Sequence, residues 1–262
     1  MGLINRINDV LRKNIESCSK NFKNSLALSG IKTAKLRSEI SKYNESYDEQ
    51  SQNAIYHKDL AYSNPVKFIL LFLNKEVIQN ALEQNPRIAE ILDENKLSIE
   101  FDIENVNSII MSHLIPTART AQKMYCAMGC SKDEENSVHL YQAALLHDIG
   151  KVFIPKEILF KKGKLNFKER AIIELHNILS YEILKTTDLH PDVAKLALEH
   201  HNYEKKNVKT RENQTLMIAD VYCALREIRS YKKAINDTCA KAILYDMGAD
   251  GKLDSRYIYY LN

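Results

Sequence analysis

Seven glycines and five prolines are all that 262 residues contain. Tight turns depend on these two residues, glycine for positive φ and proline for a preset φ, so a chain this poor in both disfavours a turn-rich sandwich or barrel. The apolar residues recur at helical spacing, as in AIIELHNILSYEIL over residues 171–184, which is the period of a helix with one buried face. The pattern predicts an all-α fold, with helices over 65–83, 86–95, 103–128, 134–147, 155–160, 167–185, 191–201, 212–227, 230–246 and 254–261. Pro65, Asn85-Pro86 and Asp102-Ile103 suit helix starts, and Pro116 should kink the helix it interrupts.

Composition excludes several classes of partner. A net charge of +3 with 27% charged residues makes no strong field for nucleic acid. The run VKFILLFL (66–73) is too short to cross a bilayer and contains Lys67, so it reads as the start of a buried helix. With no leader-like segment, a cytoplasmic setting is expected. The five cysteines, Cys18, Cys126, Cys130, Cys223 and Cys239, include no CxxC pair and read as reduced thiols. Cys126 and Cys130, four apart, read as buried small side chains.

Three regions follow. Residues 1–64 comprise an amphipathic helix carrying Leu3, Ile4, Ile7, Val10, Leu11 and Ile15, then a polar stretch over 41–64 that is a linker or an exposed helix. The helix suits packing on its own domain or on a second copy, giving a homodimer, better than a membrane surface. Residues 65–105 read as a helical extension and 106–262 as the domain that carries the chemistry.

That chemistry lies in the histidines. Five of eight, His113, His147, His176, His200 and His201, fall on or at the ends of apolar helices, joined by Asp148 and Asp220. A single histidine on an apolar face is usually a satisfied core residue, the reading given to His57, His139 and His190. Five together with a His-Asp and a His-His dipeptide call for metal, because unpartnered buried imidazoles cost free energy. An all His/Asp set suits Fe, Mn, Zn, Co or Ni. Seven donors are too many for one open ion and suit two divalent ions, with Asp148 as the bridge, the arrangement that clamps a phosphoryl group. Lys151 either offsets phosphate charge or complements a helix C-terminus, and Gly150 fits a helix end needing positive φ.

HDIGKVFIPKEILFKKGKLNFKERAIIELH, followed by VAKLALEHH, IADVYCALREIRSYKKA and GADGKLDSRYIYYL, resembles the HD-GYP branch of the HD phosphohydrolase superfamily over about residues 106–262. The resemblance implies an HD-domain helical bundle and a cyclic di-GMP phosphodiesterase-like enzyme that uses a hydroxide bridging two metals, Fe or Mn. By position it implies His113, His147, Asp148, His176, His200, His201 and Asp220 as ligands. It also implies Lys151 at the scissile phosphate, and Arg229 and Lys232 at the other phosphate or a guanine, with Tyr231 beside them.

The departures are specific. NYEKKNVKTRENQ (202–214) contains neither Gly nor Pro, so the GYP loop that shapes the family's substrate side is missing. Ile109 stands where some members have a third-metal Glu, Pro116 where an Arg is common, and Cys223 where the family has a second Asp. The metal centre is untouched by these changes, whereas the choice among cyclic di-GMP, another cyclic dinucleotide and a mononucleotide is not. The alternative to an enzyme is a regulatory module that binds metal or nucleotide and turns over weakly. A non-catalytic scaffold of the HDOD kind is opposed by the intact His-Asp and His-His pairs.

Overall fold

The computed structural model describes residues 49–132, 134–204, 209–227 and 234–261, with side chains from Asn53 onward. The N-terminal amphipathic helix, and with it the expected dimer contact, lies outside these residues. So do Arg229, Tyr231 and Lys232. Among the described residues every regular element is helical, which is the fold class expected.

The order is α1 (Glu49–Ser63), α2 (Pro65–Phe72), α3 (Lys75–Gln84), α4 (Pro86–Glu94), α5 (Glu104–Asn107), a π turn (Ile110–Leu114), α6 (Ile115–Ala127) and α7 (Glu135–Leu146). A 3-10 turn (Ile149–Phe153) follows, then α8 (Lys156–Leu159), α9 (Phe167–Glu174), α10 (His176–Leu184), α11 (Pro191–Glu199), α12 (Arg211–Arg226), α13 (Asp237–Ala249) and α14 (Ser255–Ile258). The segment expected over 65–83 is two helices. Asn74 Oδ1 accepts the Val77 amide at 3.0 Å and starts a second helix there, a cap signal inside an apolar run. The segment over 103–128 breaks one turn before Pro116, where the Leu114 amide reaches back to Ile109 O at 3.1 Å. Such a five-residue step widens the helix by a residue and is common at functional sites. It carries His113.

Asn53–Asn262 form one packed unit. The last turns of the stretch over 41–64 belong to it: His57, Leu60 and Ala61 are buried, and Tyr62 stacks on Tyr141 with ring centroids 4.6 Å apart. The 65–105 region is tied to α10 by Asn85, whose Nδ2 donates to Glu182 Oε2 at 2.7 Å and Glu182 O at 3.1 Å.

The centre of the unit is α7. Every residue from Ser137 to Gly150 is buried, with α6, α11 and α12 packed around it. A helix apolar on all sides has no solvent face to keep, so its C-terminal end projects into the middle of the bundle. His147 and Asp148 are that end.

Two expectations about cysteine and histidine need correction. Cys126 is exposed while Cys130 is buried, because α6 ends at Ala127 and the two no longer share a face. His139 and His190 are not isolated core residues. Their rings stack at 4.0 Å, and His190 is exposed.

Candidate metal centre

Five elements deliver the donors. The π turn brings His113, the end of α7 brings His147 and Asp148, α10 opens with His176, α11 is followed by His200 and His201, and α12 carries Asp220. All but His201 are buried, and its side chain is only 29% exposed. The structure brings all seven together in one cluster.

The two oxygens of Asp148 face different ways. Oδ1 lies 3.1 Å from His176 Nε2. Oδ2 lies 3.5 Å from His147 Nε2 and 3.7 Å from His113 Nε2. Asp220 Oδ1 is 3.0 Å from His113 Nε2 and 3.7 Å from His147 Nε2, and its Oδ2 is 3.7 Å from His201 Nδ1. The donors thus form two adjoining groups, His113–His147–Asp220 and His176–His200–His201, with Asp148 between them.

Three of the rings are wired alike. Nδ1 of His147, His176 and His200 lies 2.9, 2.5 and 2.6 Å from the carbonyl oxygens of Ala144, Ile173 and Ala197. A carbonyl only accepts, so each Nδ1 carries the proton and each Nε2 turns a lone pair inward. His176 Nε2 and His200 Nε2 then face each other at 3.2 Å with lone pairs opposed, and buried His147 Nε2 has no hydrogen-bond partner. Protein groups alone leave this unsatisfied, whereas a cation satisfies all of it. Holding a ligating imidazole by its other nitrogen is the usual outer support of a metal site. The residues therefore fit a metal.

The protonation states agree with this. Burial, reinforced by His201, His147 and His176, pushes His200 well below the ordinary imidazole range. Burial likewise lowers His201 to about 4, against the attraction of Asp220. Burial alone would raise Asp148, but Lys151, His147 and His176 hold it well below the carboxylate range. The neighbouring rings of His113, 3.0 Å away, His147 and His201 hold Asp220 well below the carboxylate range against its burial. At neutral pH the cluster offers neutral rings at His200 and His201 and two carboxylates.

The sign of a pH effect follows. His200 and His201 refuse protons in the fold but accept them when unfolded below pH 6.5. Stability is therefore intact above pH 6.5 and lost as pH falls toward 4, by roughly 2–3 kcal/mol for His201. For His147, burial lowers the affinity for a proton but Asp148 and Asp220 raise it further, so this one ring works in the opposite sense. Thermal unfolding in chelator should show a falling melting temperature from pH 7 to pH 4.5. A flat profile would mean that these rings are protonated in the fold.

Lys151 Nζ lies 2.5 Å from Asp148 Oδ2 with its side chain 15% exposed. It stands at the rim of the cluster as a counter-charge. Gly150 is needed for a reason other than positive φ, since it is not among the glycines with positive φ. A Cβ there would lie 2.4 Å from His176 O and 2.6 Å from Ser180 N. The turn after α7 thus meets the backbone of α10. Ser180 seals the contact, its hydroxyl donating to His147 O at 2.6 Å and accepting the Gly150 amide at 2.9 Å. Ser180, Tyr203, whose hydroxyl is 3.2 Å from His201 Nδ1, and Asn105, which donates to Lys151 O at 3.1 Å and Ile154 O at 2.8 Å, were not singled out from sequence. Ser180 had one signal, the single serine in the apolar stretch 171–184. Cys223, at the family's Asp position, is buried with Sγ 3.5 Å from Thr120 Oγ1.

The chain is similar to known proteins over the span that carries these residues. A family model described as the HD domain matches residues 110–225, a span that includes all seven donors. The cyclic di-GMP phosphodiesterase response regulator RpfG of Xanthomonas campestris pv. campestris is 29% identical over 196 residues, covering 70% of this chain and 50% of that protein. The cyclic di-GMP phosphodiesterase PdeB of Borreliella burgdorferi is 32% identical over 158 residues, 56% of this chain and 41% of that protein. The 3'3'-cGAMP-specific phosphodiesterase 1 of Vibrio cholerae is 28% identical over 176 residues, 62% of this chain and 40% of that protein. The chain thus spans half or less of the length of these relatives. Among the described residues no helix is long and apolar enough to cross a membrane. The span that resembles the HD-domain model carries the whole donor cluster.

Proposed function

We propose that this chain is a metal-dependent phosphodiesterase of cyclic dinucleotides, with cyclic di-GMP first among the substrates to test. The observation that carries the reading is Asp148, whose two oxygens face two separate histidine groups. That disposition suits a carboxylate shared between two divalent ions, which His113, His147 and Asp220 on one side and His176, His200 and His201 on the other would hold; the family resemblance, not the geometry, makes iron or manganese the ions to test. Divalent metal bound there supplies a water acid enough to ionise near neutral pH and positive charge for phosphoryl oxygens.

The chain's own residues do the rest. Nδ1–H bonds to the helix carbonyls keep the rings of His147, His176 and His200 from swinging. Lys151, at the rim, offers an ammonium to the scissile phosphate. Arg229 and Lys232 are assigned to the second phosphate or a base. The relatives' activities on cyclic di-GMP and 3'3'-cGAMP support the substrate class. The sequence resembles the HD-GYP branch without its loop.

A second reading has one observation in its favour. Residues 202–214 contain neither Gly nor Pro, which suits a regulatory module that binds metal or nucleotide and turns over weakly. One experiment separates the two. The chain is purified anaerobically, its metal counted, and cyclic di-GMP, 3'3'-cGAMP and mononucleotides are offered before chelation, after it, and after Mn²⁺ or Fe²⁺ is restored. Hydrolysis of a cyclic dinucleotide that vanishes with chelator and returns with metal is expected. Metal without turnover of any substrate would establish the regulatory module, and a mononucleotide preference would make the chain a nucleotidase.

A further inference from the structure

We propose a second cation site, separate from the HD centre, formed by Glu135, His139 and His190 with Asp192 behind them, and suited to a borderline divalent ion such as Zn²⁺. Glu135 and His139 are one turn apart on the first turns of α7. His190 caps α11, its Nδ1 accepting the Asp192 amide at 3.3 Å. One nitrogen of each ring faces Glu135 and the other faces Asp192. Glu135 Oε1 is 4.0 Å from both His139 Nε2 and His190 Nε2. Asp192 Oδ2 is 3.9 Å from His139 Nδ1 and 3.5 Å from His190 Nδ1.

These separations are too long for hydrogen bonds. They are close to what donors keep around a shared tetrahedral ion, which at Zn–N distances near 2.1 Å lie about 3.4 Å apart. The closing motion is small, and the right groups are free to make it. The side chains of Glu135 and His190 are 76% and 45% exposed, whereas that of His139 is 10% exposed and fixed. The stacked rings, 10° from parallel, must tilt so that both Nε2 atoms converge; exposed His190 is the ring that turns, and its proton moves from Nε2 to Nδ1, which releases the Asp192 amide and faces Asp192 Oδ2 instead.

An independent observation points to a ligand. His139 Nδ1 is buried without a hydrogen-bond partner, an arrangement that costs free energy and that native proteins usually avoid. Cation binding at Nε2 places the proton on Nδ1, facing the Asp192 carboxylate. That is the carboxylate–histidine–metal relay seen at zinc sites. Beside the cluster a cavity of about 200 Å³, lined by Asn136, His139, Asp192, Lys195, Glu199 and Glu212 among others, carries more carboxylates than cations and gives a cation a way in.

The test uses zinc itself with the full chain, free of any polyhistidine tag. Zinc uptake is measured by equilibrium dialysis for the parent, His190→Ser, which keeps an N-cap acceptor, and Glu135→Gln. Each is repeated in an Asp148→Ala background. One zinc fewer in His190→Ser and in Glu135→Gln, in both backgrounds, is expected, together with zinc-dependent protection of His190 from diethylpyrocarbonate. Unchanged uptake in both variants, or equal labelling of His190 with and without zinc, would overturn the proposal. The HD-centre reading fails separately: Asp148→Ala would then bind as much zinc as the parent while the loss at His190 persists.

Discussion

Replacing Asp148 by alanine should strip metal from the His/Asp centre and stop the proposed hydrolysis while leaving the helices in place. Its two oxygens face the two histidine clusters, Oδ1 at 3.1 Å from His176 Nε2 and Oδ2 at 3.5 Å from His147 Nε2, whereas Asp220 reaches the second cluster only at 3.7 Å, through His201. Loss of a residue that merely supports a metal ligand already costs about 10–100-fold in affinity or activity. Loss of a shared ligand should exceed that, so a fall of at least about 100-fold is expected, with metal content reduced by one ion or more per chain. The checks are metal analysis, hydrolysis of whichever cyclic dinucleotide the parent accepts, and far-ultraviolet circular dichroism. Full metal occupancy with turnover within about tenfold of the parent would remove Asp148 from the bridging role. Lys151 loses its carboxylate partner in this variant, so Asp148→Asn, which keeps the volume and a hydrogen-bond acceptor, is the companion that separates charge from packing.

The second large effect should come from a single methyl group. Gly150→Ala would put a Cβ 2.4 Å from His176 O, 2.6 Å from Ser180 N and 2.9 Å from Leu179 Cβ. Two of these neighbours are backbone and cannot rotate away, so the 3-10 turn and α10 must separate. Overpacking of this kind costs typically 1–3 kcal/mol and here should reach about 3 kcal/mol. For a unit of this size that lowers the melting temperature by roughly 6–12 °C. The same shift pulls His147 and Asp148 away from His176, so metal affinity should fall with stability. Ser180→Ala removes only the hydroxyl bridge and should cost less, about 1–3 kcal/mol for the groups left unpaired. If Gly150→Ala melts within about 2 °C of the parent, the contact is softer than the geometry indicates.

The contrast between these positions shows what could be read in advance. The seven donors were visible because their residue types are costly on apolar helices without a purpose, and the helical period placed them. Gly150 was noticed for the wrong reason. Its role depends on Leu179 and Ser180, some thirty residues along, and no local rule foresees that approach. The break at Asn74 was locally encoded by a cap and was hidden by the apolar run around it. The opposed orientation of the two Asp148 oxygens needed the packing of α10 and the π turn on either side of α7. His139 and His190 illustrate the same limit, since each reads as ordinary alone and the pair exists only once α7 and α11 lie side by side.

The bonds from His147, His176 and His200 to the carbonyls of Ala144, Ile173 and Ala197 have a mechanical consequence. Each ring is fastened to its own local backbone, three residues back, and not to a flexible neighbour. The rings therefore move as extensions of three rods, and the gaps between their inward nitrogens gauge how those rods are spaced. A twist or slide of α11, or of the junction where α9 hands over to α10, against α7 that would barely register in an apolar core is transmitted to the donors undiminished. The centre then behaves like the jaws of a calliper: whatever shifts the bundle sets the opening, and whatever closes the opening stiffens the bundle.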